Sequence, residues 1–182
     1  MERLKPLNDY LFMKLFGEKG DEEQLLAFLN AVLGRSGTDA LVSVEILENK
    51  TFSAEIIGDK TSILDVRAIT SSGEYVNIEV QLQDLHNMAK RSLFYWSENF
   101  NRSISAGQDY NELPKVIAIN IVNFDYIKLD DFHTTFHMRE DNHHDCILSD
   151  AIEIHFINMV KYRKLKTKDF KNNLLERSSC VS

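Results

Sequence analysis

The sequence predicts a mixed α/β domain in which helices pack on a central β-sheet. Three observations support this fold class: helical periodicity near the N-terminus, alternating strands joined by short turns in the middle, and the nearly continuous apolar run PKVIAINIVNF after a long helix. A chain of 182 residues with 43% hydrophobic and 27% charged residues can bury one sizeable core, so we expect a single domain.

The order of the predicted elements follows from apolar spacing and from the glycine and polar turns between segments. Helices are predicted in NDYLFMKLFG (8–17), in DEEQLLAFLNAVLG (21–34, capped by Asp21) and in LHNMAKRSLFYWSENFNRSISAG (85–107). Strands are predicted in LVSVEILENKTF (41–52), TSILDVRAIT (61–70), EYVNIEVQLQ (74–83), PKVIAINIVNF (114–124), FHTTFHM (132–138) and AIEIHFINM (151–159). The last two form a hairpin, and the apolar run at 114–124 suits a strand covered on both faces.

Composition narrows the location and the partners of the chain. No apolar run approaches the roughly 20 residues of a membrane helix, and the N-terminus lacks the apolar core of a secretory signal. Two cysteines, Cys146 and Cys180, give no disulfide framework, so we expect a cytoplasmic protein with no membrane association. The net charge of -7 argues against passive coating of nucleic acid. Residues 161–177 are basic, which fits either a solvated helix face or a phosphate-contacting extension.

A tight turn at Ser71-Ser72-Gly73 sets the register of the predicted hairpin between residues 61–70 and 74–83. If Thr70 and Glu74 close the loop, Asp65 faces Glu79 across the strands, and Gln81 points the same way. The opposite face is then apolar. Two opposed carboxylates repel, and a divalent cation such as Mg²⁺ would remove the conflict. The alternatives are a solvent-exposed hairpin with polar residues outward, or a register slipped by one residue.

These residues resemble a known family. NDYLFMKLFG at the start, Asp65, the string NIEVQL and the following KRSLFYWS are together similar to the PD-(D/E)XK nuclease family transposases, also called recombination-promoting nucleases. The resemblance runs from about Asn8 to about Met159. It implies a restriction-endonuclease-like core, with a central mixed sheet flanked by helices. It also implies an endonuclease that hydrolyses DNA with Mg²⁺ or Mn²⁺.

The resemblance assigns roles to individual residues. Asp65 and Glu79 match the metal-binding carboxylates, and Gln81 stands where a lysine normally orients or activates the attacking water. Gln cannot carry positive charge, but it can hold a water by hydrogen bonds.

Several further residues are candidates for the same site. A third acid could come from the N-terminal motif, as Asp9, or from the second helix, as Glu22 or Glu23, and the choice stays open. Lys14 could add charge near the metal; in the simpler interpretation Asp9 caps the first helix and Lys14 is a solvated side chain.

The long helix carries the candidate DNA contacts. Arg91 and Tyr95 are four residues apart and share a face, at the place where related nucleases have a helical motif that supports the site and contacts DNA. Lys90 and Arg91 are the phosphate candidates, whereas Tyr95 also fits a core position, as tyrosines on such helices more often do. The histidines show no convergent set of about four zinc ligands, and His155 is predicted to be a hydrogen-bonded sheet residue.

Three functional hypotheses therefore remain from the sequence. The first is the metal-dependent endonuclease, with residues 1–160 as the nuclease-like domain and 161–182 as a basic C-terminal tail. The second is an inactive nucleic-acid-binding or interaction module on the same fold, from a truncated mobile-element protein. The third is an enzyme that cleaves RNA. A homodimer would supply the two sites that cutting both strands of a duplex requires.

Overall fold

The computed structural model describes residues 20, 22–47, 64–105 and 107–165, and it describes the backbone alone for Leu64 and Asp65. The predicted helix at 8–17, the predicted cap Asp21 and most of the basic tail lie outside these ranges. Within them, no helix combines the length and the apolar character needed to span a bilayer.

The described elements are a helix, three strands, a second helix, three further strands and a short third helix, and the first eight follow the predicted order. The helices are α1 (Glu22–Leu33), α2 (Met88–Arg102) and α3 (Met159–Lys164), and short 3₁₀ turns lie at Gly37–Asp39 and Tyr110–Glu112. The strands are β1 (Val44–Ile46), β2 (Leu64–Thr70), β3 (Tyr75–Gln81), β4 (Val116–Val122), β5 (His133–Arg139) and β6 (Ile147–Asn158). The predicted α/β class is confirmed.

The strands form one mixed sheet of six strands in the order β1-β2-β3-β4-β6-β5. Neighbouring strands are antiparallel from β1 to β3 and again between β5 and β6, whereas β3, β4 and β6 run parallel. The helix α2 makes the crossover from β3 to β4, as a parallel pair requires. Together with the flanking helices, this sheet confirms the restriction-endonuclease-like core expected from the resemblance.

The hairpin between β2 and β3 has the predicted register. Thr70 N–H donates to the carbonyl of Glu74 at 2.9 Å, and Gly73 N–H donates to the carbonyl of Thr70 at 2.9 Å. Gly73 has a φ of 78°, the left-handed conformation that a side chain would disfavour. The turn therefore pairs Asp65 with Glu79, and no slip by one residue occurs.

Strand β4 lies between β3 and β6, and all seven of its residues are buried. Its odd-numbered residues, with Ile78 and Val66, pack against Leu25 and Leu29 of α1. On the other face, Ala118 and Val122 belong to a second apolar cluster with Met88 of α2. The sheet therefore has an apolar layer on the α1 face and a more polar face beneath α2, and this second face carries Glu79.

Several element boundaries differ from the sequence prediction, most clearly at α2 and β6. Helix α2 covers Met88–Arg102, which is shorter at both ends than the predicted 85–107. Strand β6 begins at Ile147 rather than at 151, because Met138 and Arg139 of β5 pair with Ser149 and Ile147 beyond an irregularity in the ladder. The final hairpin therefore extends beyond the first residue of β4, since Val116 pairs with Ile152.

A buried charge cluster lies on the α1 face of β6. His155 is 2% exposed; its Nε2 is 2.7 Å from Oε1 of Glu153, and its Nδ1 is 2.9 Å from Nε2 of His133. Lys115 pairs with the other oxygen of Glu153. Burial raises the pKa of Glu153, but the hydrogen bonds from His155 and Lys115 outweigh it and lower that pKa from 4.5 to about 2. The prediction that His155 is a hydrogen-bonded sheet residue is confirmed.

This cluster predicts a loss of stability in acid. Because the folded-state pKa of Glu153 lies below the unfolded value, its contribution is complete above about pH 4.5 and disappears as the pH falls to about 2. We expect the free energy of unfolding to decrease by up to about 3 kcal/mol through this window. Denaturant titrations at several pH values should show a flatter profile for Glu153→Gln, whereas Glu112→Gln, at an exposed position, should match the wild type. A Glu153→Gln profile as steep as that of the wild type would contradict the prediction.

Candidate metal and nucleic-acid site

The site forms where β2 and β3 lie side by side beneath the first half of α2. The backbone of Asp65 is paired with that of Glu79, as predicted, and Gln81 lies two residues further along β3. Glu79 is 2% exposed and Gln81 is 3% exposed. The predicted turn and register therefore bring the sequence positions of two carboxylates and one amide to one end of the hairpin.

Helix α2 adds a positive charge to this end of the sheet. The Nε of Arg91 donates to Oε1 of Glu79 in an ion pair in which the Glu79 side chain is 2% exposed and the Arg91 side chain 17%. Arg91 Nη2 also donates to the hydroxyl of Tyr95 at 3.1 Å, and the guanidinium carbon is 5.0 Å from the centre of the Tyr95 ring. Arg91 and Tyr95 share a helix face, as predicted, and their side chains are in direct contact. Lys90 is exposed to solvent.

The amide of Gln81 has a defined orientation. Its Nε2 donates to the backbone carbonyl of Gln83 at 2.9 Å. The buried Oε1 has no hydrogen-bond donor among the described residues. Since only the amide nitrogen can donate to a carbonyl, the contact with Gln83 fixes which atom is the oxygen. Gln81 therefore presents an acceptor to the site, the opposite polarity from a lysine ammonium.

Asn120 is a neighbour of Glu79 that sequence reasoning missed. It is directly beside Glu79 in the parallel register of β3 and β4 and is 1% exposed. Its Nδ2 donates to Oγ of Ser92 at 2.9 Å and to the carbonyl of His155 at 3.0 Å. The available signal was a single asparagine within the apolar run VIAINIV of β4. These bonds join α2, β4 and β6 next to Glu79.

The remaining predicted site residues are distributed as follows. Asp9 and Lys14 lie outside the described residues. Glu22 accepts a hydrogen bond from the backbone of Gly20 at 2.8 Å, and Glu23 is exposed. Both begin α1, which packs on the apolar face of the sheet, opposite the Glu79 face. Their part in the site stays a prediction.

No group of three or more His, Cys, Asp or Glu residues suited to a metal occurs within the described part of the chain. That part does not include the side chain of Asp65 or the N-terminal residues 1–19. Mg²⁺ prefers oxygen ligands, and Glu79 and Gln81 supply a carboxylate and an amide oxygen. The residues present therefore fit a hard divalent cation.

Comparison with known proteins identifies the family. Neither curated proteins nor solved structures gave a match. The family described as PD-(D/E)XK nuclease family transposase matches residues 6–177, nearly the whole chain, and this membership supports a nuclease-type function. The hairpin register, with Asp65 opposite Glu79 and Gln81 two residues further on, agrees with this match. Because the match covers nearly the whole chain, the chain belongs to the PD-(D/E)XK nuclease family transposases.

Proposed function

We propose that the protein is a metal-dependent endonuclease that hydrolyses phosphodiester bonds in DNA. The observation that carries the proposal is the register of the hairpin, in which Asp65 is directly opposite Glu79 and Gln81 follows two residues later. Directly opposed residues of an antiparallel pair point to one face, so a family member with this register has two carboxylates for one cation.

Asp65 and Glu79 would hold the cation, with Mg²⁺ or Mn²⁺ as the proposed ion. Bound there, the ion would supply charge that stabilises a phosphodiester in the transition state and would lower the pKa of a coordinated water. Gln81 has a buried oxygen without a described donor, so it can accept a hydrogen bond from the attacking water and set its direction. The third acid, from Asp9, Glu22 or Glu23, remains part of the proposal, as does a charge from Lys14.

The nucleic acid would approach along α2. Lys90 is exposed on this helix, one residue before Arg91, and Tyr95 lies one turn further on. Lysine and arginine neutralise phosphates and so contribute most of the sequence-independent affinity for DNA. We propose that Lys90, Arg91 and Tyr95 form the DNA-contacting surface, with the basic segment 161–182 as a tail beyond the nuclease-like domain at 1–160.

Plasmid cleavage tests the proposal. Purified protein with Mg²⁺ or Mn²⁺ should nick supercoiled DNA, and EDTA should abolish nicking. Asp65→Asn should lower the rate by a factor of about 10²–10³, because it removes one of the two charges that hold the ion. Asp84→Asn, just beyond β3, serves as the matched control and should cleave like the wild type. Equal cleavage by Asp65→Asn and the wild type would overturn the assignment.

One observation favours the alternative of an inactive binding or interaction module. Oxygen Oε1 of Glu79 already accepts from Arg91, and Gln81 stands in the usual lysine position. If the folded wild-type protein cleaves neither DNA nor RNA with either metal, yet binds DNA, the module becomes the better explanation. Cleavage of RNA alone would redefine the substrate but keep the site.

The cellular setting is also a proposal. We propose a cytoplasmic enzyme that acts as a homodimer, because two copies provide one site for each strand of a duplex. Analytical ultracentrifugation with and without a short DNA duplex would measure the number of copies in the complex.

A further inference from the structure

The ion pair between Arg91 and Glu79 has an arrangement that a purely structural salt bridge does not require. Arg91 uses Nε for the carboxylate and Nη2 for the Tyr95 hydroxyl, and its guanidinium also lies over the Tyr95 ring, 5.0 Å from its centre. Tyr95 holds the guanidinium through contacts that do not involve Glu79. The guanidinium could therefore release the carboxylate and still be held on α2.

Glu79 needs a positive partner in the absence of metal. A carboxylate that is 2% exposed has lost its hydration, and a buried charge is costly unless it is paired. Arg91 provides that partner from α2, across the space between the helix and the sheet. The contact therefore stabilises the folded chain when no cation is bound.

A divalent cation would compete with Arg91 for the same carboxylate. The bound cation and the guanidinium N–H groups both require lone pairs of the Glu79 carboxylate. Two positive groups a few ångströms apart also repel each other. Guanidinium is also well shaped to donate two parallel hydrogen bonds to a phosphate. Displacement of Arg91 from Glu79 would thus place a phosphate donor beside the metal site.

We propose that Arg91 is a positioning residue that exchanges partners: it pairs with Glu79 in the metal-free protein and turns to a substrate phosphate when a divalent cation binds. The proposal rests on the proposed function, since it requires the cation at Glu79. Tyr95 retains the guanidinium during the exchange. The exchange makes tight binding of DNA by this residue depend on the metal, so an empty site does not hold DNA through Arg91.

Calcium binding measured by calorimetry tests the exchange without relying on cleavage. Because Arg91→Met removes the competing cation, we expect this variant to bind Ca²⁺ more tightly than the wild type by a factor of roughly 5–150. Its Tm in EDTA should be about 5–15 °C lower, since Glu79 stays buried without its guanidinium. Added Ca²⁺ should then raise the Tm of this variant more than that of the wild type. Arg102 is on the same helix, and its side chain is 62% exposed. Arg102→Met should therefore change neither the Ca²⁺ affinity nor the Tm.

A second variant covers the case in which Arg91→Met does not fold. Arg91→Lys keeps a counter-ion for Glu79 but loses the planar group held by Tyr95. Because a positive charge still competes for Glu79, we expect its Ca²⁺ affinity to stay within about threefold of the wild type. Its affinity for a DNA duplex should be lower than that of the wild type in Ca²⁺, by roughly 5–150-fold, and equal to it in EDTA.

The outcomes separate the two proposals. If the wild type binds Ca²⁺, Glu79→Gln does not, and Arg91→Met binds no more tightly than the wild type, the exchange is wrong and the metal site stands. If Arg91→Lys weakens DNA binding equally in EDTA and in Ca²⁺, Arg91 is a constant DNA contact and the exchange is wrong. If the wild type binds no Ca²⁺, or Glu79→Gln binds it equally well, the proposed metal site fails as well.

Discussion

Glu79→Gln should reduce DNA cleavage by a factor of about 10²–10³ while the protein remains folded. The substitution keeps the size and one oxygen acceptor of the side chain but removes the negative charge that would hold a divalent cation. A neutral amide is a weaker partner for Arg91, so we also expect the free energy of unfolding to fall by about 1–3 kcal/mol. Initial rates of plasmid nicking, with circular dichroism to verify folding, would measure both effects.

The control for this substitution is another glutamate of the same sheet. Glu45 of β1 is exposed between two buried residues, so Glu45→Gln removes the same charge at a distance from the hairpin end. Its cleavage rate and its stability should equal those of the wild type. If Glu79→Gln retained full cleavage, the role of the carboxylate would be structural, and the interaction-module alternative would gain support.

Local sequence determined the part of the site that could be predicted. The turn Ser71-Ser72-Gly73 fixes the loop length, because Gly73 adopts a φ of 78° that closes a three-residue loop. Once the loop is fixed, pairing across β2 and β3 follows one residue at a time, which brings Asp65 opposite Glu79. Alternation along the strands then separates these polar positions from Val66, Ile78 and their neighbours.

The contact between Arg91 and Glu79 could not be predicted in the same way. Helical periodicity shows that Arg91 and Tyr95 share a face, but not where that face lies over the sheet. The placement of α2 depends on packing between distant segments, with Met88 buried among Ala118, Val122 and Phe156. The hydrogen bond from Trp96 Nε1 to the carbonyl of Val116, at 3.1 Å, adds a further constraint. Tertiary packing of this kind leaves no local pattern in the sequence.

Gln81 is the residue at which this site differs most clearly from the lysine-containing pattern that it resembles. Because Nε2 is held by the carbonyl of Gln83 and Oε1 is left as a buried acceptor, the site is arranged for an acceptor at this position. We therefore expect Gln81→Lys to lower the cleavage rate by about 10–10² rather than raise it, since an ammonium donates only and adds charge beside Arg91 and the metal site. Gln81→Met has neither a donor nor an acceptor of comparable strength, so it should lower the cleavage rate by a factor of about 10².

Gln81→Glu completes the series because it retains an acceptor. We expect it to cleave within about tenfold of the wild type, at a pH where the carboxylate is ionised. Initial rates across a range of Mg²⁺ concentrations would separate weaker metal binding from slower hydrolysis. Gln83→Met is the matched control, because it keeps the backbone carbonyl that holds Gln81 and should leave the rate unchanged. If Gln81→Lys cleaves faster than the wild type, the site requires a donor at this position, and the orientation of the Gln81 amide does not determine the role of this residue in cleavage.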